Sequence, residues 1–490
     1  MRPSTLHCLV LAVVGVVTSS WVLAADPATA PATPAQIKTL VDQLGDKDFK
    51  VRAAAERELV RIGVPAIDAL GQAAMAGDAE VRQRAARAVN EINAAATVAA
   101  SRELAKGLIW SYPIKNGGIG APAVSGGSAY AVGKDMQLHR VDIRTGKKVW
   151  AVDLKDRAFG SEIFAGPKVV FLTQGMVLTA FNVADGKQLW QKDMNAPPPG
   201  GGKRTEFLAG RLAAWNMGDT VVAQADADSF KGFKAMTGEE AWECKVKRPE
   251  GWPAAPAMAG GVLFAKTGQS IAAIDLATRK EIWRQDKDVA GCTAMGAGGG
   301  ALCCLAGDKI VALDAKKGER LWTADAPGRG EGPGRGAPGA VRVERLVADD
   351  TNLYLALAGG GALAAYDLRK GDMRVLNLDM GVAMDEAQRK AAGMADTGDV
   401  KPVVWGFTWW SVSGGTLYAA SEIAMFAFDI KTSKRLWTLL LDDPLSGEMA
   451  VADGVIYFAT DYRPKPQTPG AKDASPLIAP GLHAMIVPKN

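Results

Sequence analysis

The chain has 490 residues, of which 22% are charged, and its 57 basic and 53 acidic side chains leave a formal net charge of only +4. This balance excludes a protein dedicated to binding nucleic acid, whose surface would carry a strong positive excess. The composition is that of a soluble globular protein, and the length predicts more than one domain.

Residues 1–24 have the pattern of a secretory signal peptide. Arg2 gives a short positive region, an apolar run covers residues 9–17, and Ala24 provides the small residue of a cleavage site. The apolar run is far shorter than the about 20 residues of a membrane-spanning helix, and no later segment predicts a transmembrane span. We therefore expect a periplasmic or secreted mature chain, which begins with a Pro/Ala-rich linker over residues 25–35.

The segment 36–100 is predicted to be helical, because apolar residues recur there at the spacing of one helix face. It also contains a short internal repeat, in which Asp, Val, Arg and Ala occur twice at the same spacing: Asp48, Val51, Arg52 and Ala55, then Asp78, Val81, Arg82 and Ala85. This pattern resembles HEAT-type helical repeats, of which two at most are present. Fewer than three such repeats bury little core on their own.

A second repeat occupies the rest of the chain. An apolar strand, an Asp, a Thr-Gly turn and a strand containing Trp form the segment VDIRTGKKVW, which ends at Trp150. Trp110 opens the series, and the segment returns in similar form at five Trp positions and one degraded position: Trp190, Trp242, Trp283, Trp322, Trp437 and Val375. A unit of about 40 residues that repeats in this way predicts a β-propeller or a solenoid.

Four short strands with period-2 apolar patterning fit between successive Trp positions, which is typical of a propeller blade. The Trp spacing gives eight units, and the eighth lacks its own outermost strand. We expect the strand 108–112 to complete it, because this closes the ring and removes an exposed edge. The predicted fold is mainly β: an eight-bladed β-propeller of four-stranded antiparallel blades over residues 107–490, preceded by the small helical region.

These Trp-containing segments resemble the PQQ-like, or quinoprotein-type, β-propeller repeats, over residues 107 to 487. In that family the tryptophan docks each blade onto the next. The resemblance implies this structural role for seven tryptophans: Trp110, Trp150, Trp190, Trp242, Trp283, Trp322 and Trp437. The family includes both cofactor enzymes and cofactor-free scaffolds, so the resemblance implies the fold more strongly than the function.

The long insertions between strands are predicted to lie on one face of the propeller. They cover residues 196–203, 326–339, 380–402 and 463–480, and all of them fall in connections that alternate with the short Thr-Gly corners. Loops gathered in this way on a rigid scaffold favour a binding role, although surface loops also tolerate insertion at little cost. Trp252, Arg329 and Arg335 lie in connections of this face and are candidate interaction residues.

The densest aromatic cluster is Trp405, Phe407, Trp409 and Trp410. The segment 403–412 is predicted to be the innermost strand of the seventh blade, with Trp405 and Trp409 on one side and Trp410 on the other. Blade packing explains such a cluster, and a stacking platform for a sugar or peptide is the alternative.

Cys303 and Cys304 are adjacent, and adjacent cysteines resemble the vicinal disulfide of PQQ-dependent alcohol dehydrogenases. The surrounding segment nevertheless has the pattern of an ordinary strand. A bridge from Cys292 to one of the pair is also compatible with an oxidising compartment. Structural thiols, a disulfide and a cofactor-linked pair therefore remain open.

No recognised catalytic, PQQ or calcium motif occurs in the sequence, and His139 and His483 occupy matching strand positions of different blades. We expect a non-catalytic, extracytoplasmic scaffold without a cofactor, which binds protein or peptide partners and resembles most the propeller of the outer-membrane protein assembly machinery. The alternatives are a quinoprotein oxidoreductase that binds PQQ with calcium, and a carbohydrate-binding propeller. An envelope-associated complex would be the setting of the first hypothesis.

Overall fold

The computed structural model describes residues 32–75, 78–155, 161–194, 212, 214–226, 229–245, 256–327, 346–356, 362–382, 403–404, 408–421, 424–441, 443–462 and 478–487. The chain divides into two compact units, Met1–Ile92 and Asn93–Asn490. None of the helices in these ranges combines the length and the apolarity needed to cross a lipid bilayer.

The first unit is helical, and its elements are α1 (Pro34–Gln43), α2 (Phe49–Ile62), a 3-10 turn (Val64–Ala66), α3 (Ile67–Met75) and the first part of α4 (Ala79–Ala105). Thr33 caps α1 in a capping box with Gln36, and Asp48 caps α2. The core contains one buried alanine from each copy of the internal repeat, Ala55 and Ala85. The equivalent positions are therefore buried in both copies.

A buried carboxylate joins two helices of this unit. Glu56 on α2 accepts hydrogen bonds from Arg84 and Arg87 on α4, and Arg84 also pairs with Glu80. Glu56 and Arg84 are both 8% exposed. Because two arginines pair with one carboxylate, the charge of Glu56 is compensated at a position largely shielded from water.

The second unit is a β-propeller of eight four-stranded antiparallel sheets, which confirms the predicted fold. We call the strands of each blade A to D in sheet order. Blades 1 to 4 are Gly118–Ser125, Ser128–Gly133, Gln137–Asp142, Lys148–Asp153; Ser161–Ala165, Val169–Gln174, Val177–Asn182, Gln188–Asp193; Ala214–Asn216, Thr220–Asp226, Ser229–Lys234, Glu240–Lys245; and Ala257–Ala259, Val262–Thr267, Ser270–Asp275, Lys280–Gln285.

The other blades follow the same order. Blades 5 to 8 are Cys292–Gly298, Ala301–Ala306, Lys309–Asp314, Arg320–Asp325; Leu346–Ala348, Asn352–Ala356, Ala362–Asp367, Met373–Asn377; Trp409–Ser413, Thr416–Ala420, Ala424–Asp429, Arg435–Leu440; and Ala450–Ala452, Val455–Thr460, Gly481–Ile486, Leu108–Pro113. Strand D of blade 8 thus comes from the start of the propeller segment, and Trp110 pairs there with Ala484. This pairing closes the ring without leaving strand C of blade 8 as an edge.

The end of α4 belongs to the second unit and covers part of another strand edge. Ser101 is fully buried, and its hydroxyl donates to the carbonyl of Thr438 at 3.3 Å and accepts from the amide of Leu440 at 3.1 Å. Both partners lie on strand D of blade 7. The helix was predicted to end near residue 100, but it continues to Ala105, because its last turns pack Leu104 and Ala105 against the blade 7–blade 8 core.

The two faces of the propeller differ in their connections. The A–B turns are short in all eight blades, and the C–D corners are short in blades 1 to 7, where strand D follows strand C along the chain. We call the side on which these turns lie the corner face. The D–A and B–C connections contain all the long intervals between strands, and we call their side the loop face. Since strands in a blade alternate in direction, every long connection begins and ends on the loop face.

Candidate interaction face of the propeller

The corners are built by the repeated Asp and Thr. In blade 1 the carboxylate of Asp142 accepts from both the amide and the hydroxyl of Thr145 at 2.9 Å, and these bonds hold the pKa of Asp142 below its usual range. Asp275 with Thr278 and Asp429 with Thr432 repeat the arrangement. The repeated Asp and Thr therefore form a turn whose backbone amide is capped by the Asp side chain of the same turn, which we call a self-capped turn.

Tryptophans join neighbouring blades at these corners. The indole Nε1 of Trp110 donates to the carbonyl of Ile143 in the next blade at 2.7 Å, and Trp150 donates to Val183 at 2.9 Å. Three more indoles bond the next corner in the same way: Trp190 to Ala235, Trp283 to Ala315 and Trp322 to Leu368. Each indole lies against the corner glycine, such as Gly146 beneath Trp110. The blades are thus held at fixed positions, which a binding platform requires.

Of the three other seams, two have the corner glycine replaced by another residue. Arg279 occupies that position in blade 4 with φ of 63°, and Ser433 occupies it in blade 7 with φ of 59°. Trp242, which precedes the first of these corners, lies over Gly232 of its own blade, within 2.2 Å of where a Cβ would be. Val375 precedes the second and is 44% exposed. A side chain at the corner therefore accompanies the loss of the indole contact.

The seam between blades 6 and 7 is filled by the chain that follows strand D of blade 6. Met380 is fully buried and Val382 is 2% exposed, and both pack into the core shared with Phe428 of blade 7. Arg435 donates to the carbonyls of Asp379 and Gly381, at 3.3 and 2.7 Å. The beginning of the long interval 380–402 is therefore part of the core rather than a surface loop.

The aromatic cluster differs from its prediction, because strand A of blade 7 begins only at Trp409. Val403–Val404 pairs instead with Gly381–Val382 in a separate two-stranded ribbon. The prediction of a single strand over 403–412 was therefore wrong, whereas the predicted side of Trp405 lies outside the described residues. Trp410 is 5% exposed in the blade 6–blade 7 core, whereas Trp409 is partly buried against the blade 7–blade 8 core.

The loop face carries a polar cluster where blade 8 meets blade 1. The hydroxyl of Tyr112 lies 3.1 Å from Nδ1 of His139, and Nε2 of the same ring lies 3.1 Å from the carboxylate of Asp135. Burial raises the pKa of Tyr112. Lys134 pairs with Asp461 at 2.5 Å across the seam. These contacts join Tyr112 and Asp461 of blade 8 to the B–C turn and strand C of blade 1.

Beside this cluster the surface is accessible. Tyr462 directly follows Asp461 and is 49% exposed, whereas His139 is only 3% exposed. The B–C connection that Tyr462 begins is one of the long ones, since strand C resumes at Gly481. The sequence analysis did not single out Tyr462 or the Lys134–Asp461 pair. The sequence feature that could have indicated them is their position in the B–C connections that precede His139 and His483.

His483 takes the equivalent position in blade 8 but is fully buried. Its Nδ1 lies 3.0 Å from the hydroxyl of Ser111 on the closing strand, and its Nε2 lies 3.0 Å from the hydroxyl of Thr460. Burial lowers the pKa of His483 to about 3. The ring is therefore neutral at physiological pH, and it connects three strands of the closing blade.

Cys292, Cys303 and Cys304 are free thiols in the structure, and all three are fully buried. Cys303 belongs to the blade 5–blade 6 core, whereas Cys292 and Cys304 belong to the blade 4–blade 5 core. Successive side chains of a strand point to opposite sides, which is why adjacent cysteines separate. The two adjacent thiols therefore do not face one common site.

Several predicted site residues lie outside the described residues: Trp252, Arg329, Arg335 and Trp405. In the described ranges, no three His, Cys, Asp or Glu side chains come together closely enough to hold a metal ion. The candidate site that the structure does describe is thus the loop face around the blade 8–blade 1 seam, with Tyr462 and the Lys134–Asp461 pair at its surface.

Comparison with solved structures supports the propeller fold. Saccharomyces cerevisiae Sqt1 is similar with a TM-score of 0.51 at 10% identity, over 78% of this chain and 99% of that one. BamB from Moraxella catarrhalis has a TM-score of 0.42 at 16% identity, over 61% of this chain and 81% of its own. A quinohemoprotein alcohol dehydrogenase from Pseudomonas putida HK5 has a TM-score of 0.44 at 15% identity, over 72% of both chains. At these identities the likeness concerns the fold alone.

A search of curated proteins gave no significant match. A family model does match the sequence, over residues 88–227 and 226–468, and these ranges cover well over half of the chain. The matched region contains the Trp-bearing corners that build the seams and every blade strand except strand C of blade 8. The chain therefore belongs to the PQQ_2 family, whose model is described as outer membrane protein assembly factor BamB.

Proposed function

We propose that this protein is a non-catalytic scaffold of the cell envelope, which binds protein or peptide partners through the loop face of its propeller. One observation carries the proposal: the corner face consists of short, self-capped turns, whereas all long connections begin and end on the loop face. Binding residues are found disproportionately on loops that a rigid scaffold positions.

The seams supply that rigidity. Five indole-to-carbonyl bonds fix neighbouring blades, and one of them, from Trp110 to Ile143, holds the closing blade. Such a ring fixes the positions at which the connections begin and end, so the blades themselves need no rearrangement when a partner binds, which favours affinity. Tyr462 offers an exposed aromatic side chain beside the Lys134–Asp461 pair, and tyrosines of this kind contribute strongly at protein interfaces.

The cellular location is part of the same proposal. Residues 1–24 have the signal-peptide pattern, and the family is described by an outer-membrane assembly factor. If the chain is exported, the mature protein begins at Ala25 and is recovered from the periplasmic or secreted fraction. N-terminal sequencing of the protein from fractionated cells tests this, and recovery of an uncleaved chain from the cytoplasm would contradict it.

Site-specific photo-crosslinking tests the binding face. A photoreactive phenylalanine analogue replaces Tyr462 on the loop face, and in a matched variant it replaces Lys316, an exposed residue of a blade 5 corner. We expect discrete crosslinked protein products from position 462 in intact cells and none from position 316. Products from position 316 alone would place the binding surface on the corner face and overturn the proposal.

Two further measurements separate the scaffold from the other candidate functions. The purified mature protein is titrated with PQQ and calcium, and dye-linked alcohol oxidation is followed; stoichiometric binding with turnover would establish an oxidoreductase instead. A glycan-binding screen with the protein and its Trp409→Ala variant tests the carbohydrate alternative. Glycan binding that this substitution abolishes would favour that reading, since Trp409 is the partly buried member of the described pair.

A further inference from the structure

The outermost strand of blade 6 pairs differently from that of the other seven blades. In each of those, an extra residue directly before the docking tryptophan forms a β-bulge in the C–D pairing, as Leu321 does in blade 5. Strand D of blade 6, in contrast, pairs with strand C without interruption from Met373 to Asn377. Because bulges twist a strand and disrupt its outer edge, blade 6 has the one regular outer edge among the eight described blades.

The missing bulge moves Arg374 into the docking position. In the seven other blades the tryptophan lies opposite the residue two positions before the end of strand C. In blade 6 that residue is Ala365, and Arg374 lies opposite it. Its Nη1 donates to the carbonyl of Lys431 at the blade 7 corner at 3.5 Å, much as the indoles donate to other corners. Val375, which has the place of the tryptophan in the sequence repeat, is thereby turned to the opposite side of the strand.

The side chains on that side of the strand are apolar and exposed. Met373 and Val375 are 48% and 44% exposed and lie two positions apart, so they share one side of strand D. The position that Val375 occupies, directly after the docking residue, has a polar residue or alanine in the other blades: Ser111, Ala151, Gln191, Glu243, Arg284, Thr323 and Thr438. Natural sheets commonly protect their edges with bulges and charged side chains. The edge of blade 6 has no bulge and an apolar residue at this position.

The chain itself covers part of the neighbouring edge with a helix. On blade 7, the hydroxyl of Ser101 bonds the carbonyl of Thr438 and the amide of Leu440, so these backbone groups point away from strand C. They belong to the first and third residues after the docking position. In blade 6 the same places are taken by Val375 and Asn377. Their backbone groups therefore point outward, where a further strand can pair.

Positive charge surrounds the corner end of this edge. Four exposed cations belong to the corners of blades 6 and 7: Arg369, Lys370, Lys431 and Lys434. None of the four forms an ion pair with a carboxylate of the described ranges. Asp372 is exposed among them, whereas Asp367 and Asp429 each cap their own corner by accepting from backbone amides. Charge complementarity therefore favours a segment with acidic residues at this end.

We propose that the outer edge of blade 6 binds an extended acidic segment of a partner protein, which adds to the blade as a fifth strand. The backbone of the segment bonds the outward groups of Val375 and Asn377, and its alternate apolar side chains contact Met373 and Val375. Its acidic residues lie against the corner cations. In such strand addition, main-chain hydrogen bonds supply affinity and alternate side chains supply specificity. The edge lies on the outer rim of the ring, apart from the loop face, so this site is tested separately from the proposed function.

Random peptides probe the edge directly. The folded full-length protein is labelled with a fluorophore and incubated with an array of random peptides long enough to span strand D, and the peptides that bind are measured in solution by fluorescence anisotropy. We expect these peptides to contain β-branched or aromatic residues at alternate positions and at least one aspartate or glutamate. Val375→Lys should weaken their binding by about tenfold or more, because it places a charge on the apolar side of the edge. Leu321→Lys, the matched change at a 45% exposed residue on the outer strand of blade 5, should leave binding unchanged.

Two further variants probe the backbone and the charge, and circular dichroism confirms that each is folded. Val375→Pro removes an amide that points away from strand C, which an edge strand tolerates, and it should prevent the pairing of an added strand. Lys370→Glu should weaken binding of the acidic peptides several-fold, and added salt should weaken binding to the wild type in the same direction. Lys316→Glu, at the blade 5 corner, is the matched control and should have no effect.

Hydrogen exchange locates the bound peptide. Residues 373–377 should exchange their amide protons more slowly when a peptide is bound, because the outward amides then donate to it, whereas residues 320–325 of blade 5 should not change. Four results would overturn the proposal: an array without bound peptides, bound peptides without acidic residues, binding that survives both Val375 variants, or protection confined to the loop face. The last result would assign peptide binding to the face of the proposed function instead.

A second copy of this chain is the other occupant that such an edge could take. Sedimentation velocity at increasing protein concentration distinguishes it from a partner segment. We expect the wild type to stay monomeric through this edge, so its sedimentation should match that of Val375→Lys at every concentration. Dimerisation of the wild type that Val375→Lys abolishes would identify the chain itself as the occupant and overturn the assignment to a partner.

Discussion

The indole of Trp110 donates to the carbonyl of Ile143 at 2.7 Å, and this bond joins the strand that closes the ring to the first blade. The same bond links Trp150 of blade 1 to Val183 of blade 2 at 2.9 Å. Although the closing blade is assembled from both ends of the propeller segment, its seam is therefore built like an interior seam. The ring has a continuous set of inter-blade contacts where its two ends meet.

Replacing Trp110 by Phe should lower the free energy of unfolding of the propeller by at least about 1 kcal/mol, because a six-membered aromatic ring is kept while the hydrogen bond to Ile143 and the packing of the pyrrole part of the indole are lost. Urea unfolding followed by circular dichroism measures the change. Trp322→Phe, which removes the bond to Leu368 at an interior seam, is the matched control and should have a similar effect. A loss at Trp322 without one at Trp110 would show that the closing seam does not depend on this bond.

The corner glycines should be more sensitive than other glycines with positive φ. Gly146 has φ of 66°, and a Cβ there would lie 2.5 Å from the Cβ of Trp110. Gly175 has φ of 61° but nothing within 4 Å of such a Cβ. Gly175→Ala should cost about 1 kcal/mol from backbone strain, whereas Gly146→Ala should cost at least 2 kcal/mol more because the indole must move. Equal losses in thermal unfolding would disprove a packing role for this glycine.

The sequence predicted the number of blades because each corner repeats the same physical solution. Asp142 and Thr145 cap their own turn, and Trp150 docks on the next one, so the pattern can be counted without knowing the three-dimensional arrangement. The strand that completes blade 8 followed from the same count, since Trp110 occupies the docking position of a strand D. Fold prediction was reliable where local and inter-blade interactions agree.

The candidate site was less predictable, because local pattern and tertiary packing compete there. Residues 403–412 alternate like one strand, yet Val403–Val404 pairs with Gly381–Val382, and strand A begins only at Trp409. Blade 6 has Val375 where other blades have a docking tryptophan, and Met380 packs into that seam instead. No local sequence pattern predicts this replacement. The separation of Cys303 from Cys304, in contrast, follows from strand alternation alone.

Met380 should contribute to stability in place of the tryptophan that the blade 6–blade 7 seam lacks. Met380→Ala empties a fully buried position and should lower the free energy of unfolding by about 2–4 kcal/mol. Met373→Ala is the matched control, because Met373 is 48% exposed on the same blade and should change stability by less than about 0.5 kcal/mol. Denaturant unfolding of both variants measures the difference, and equal effects would mean that residues 378–382 do not seal the seam.

His483 should make the propeller less stable in acid. Burial lowers its pKa to about 3 in the folded protein, against an ordinary value of 6.5. Between pH 6.5 and pH 3, the imidazole is therefore protonated in the unfolded chain but neutral in the folded one. Stability from this group is therefore fully present above pH 6.5 and falls by about 1.4 kcal/mol per pH unit as the pH decreases towards 3.

Unfolding free energies of the wild type and of His483→Gln, measured between pH 7 and pH 4, test this directly. Carboxylates that titrate in the same range act on both proteins, so the difference between the two curves isolates the histidine. The variant removes the titrating ring but keeps a side chain that can bond Ser111 or Thr460, and its stability should depend less steeply on pH. Parallel curves would show that His483 is not held neutral by burial, and that the closing blade has no acid-sensitive group at this position.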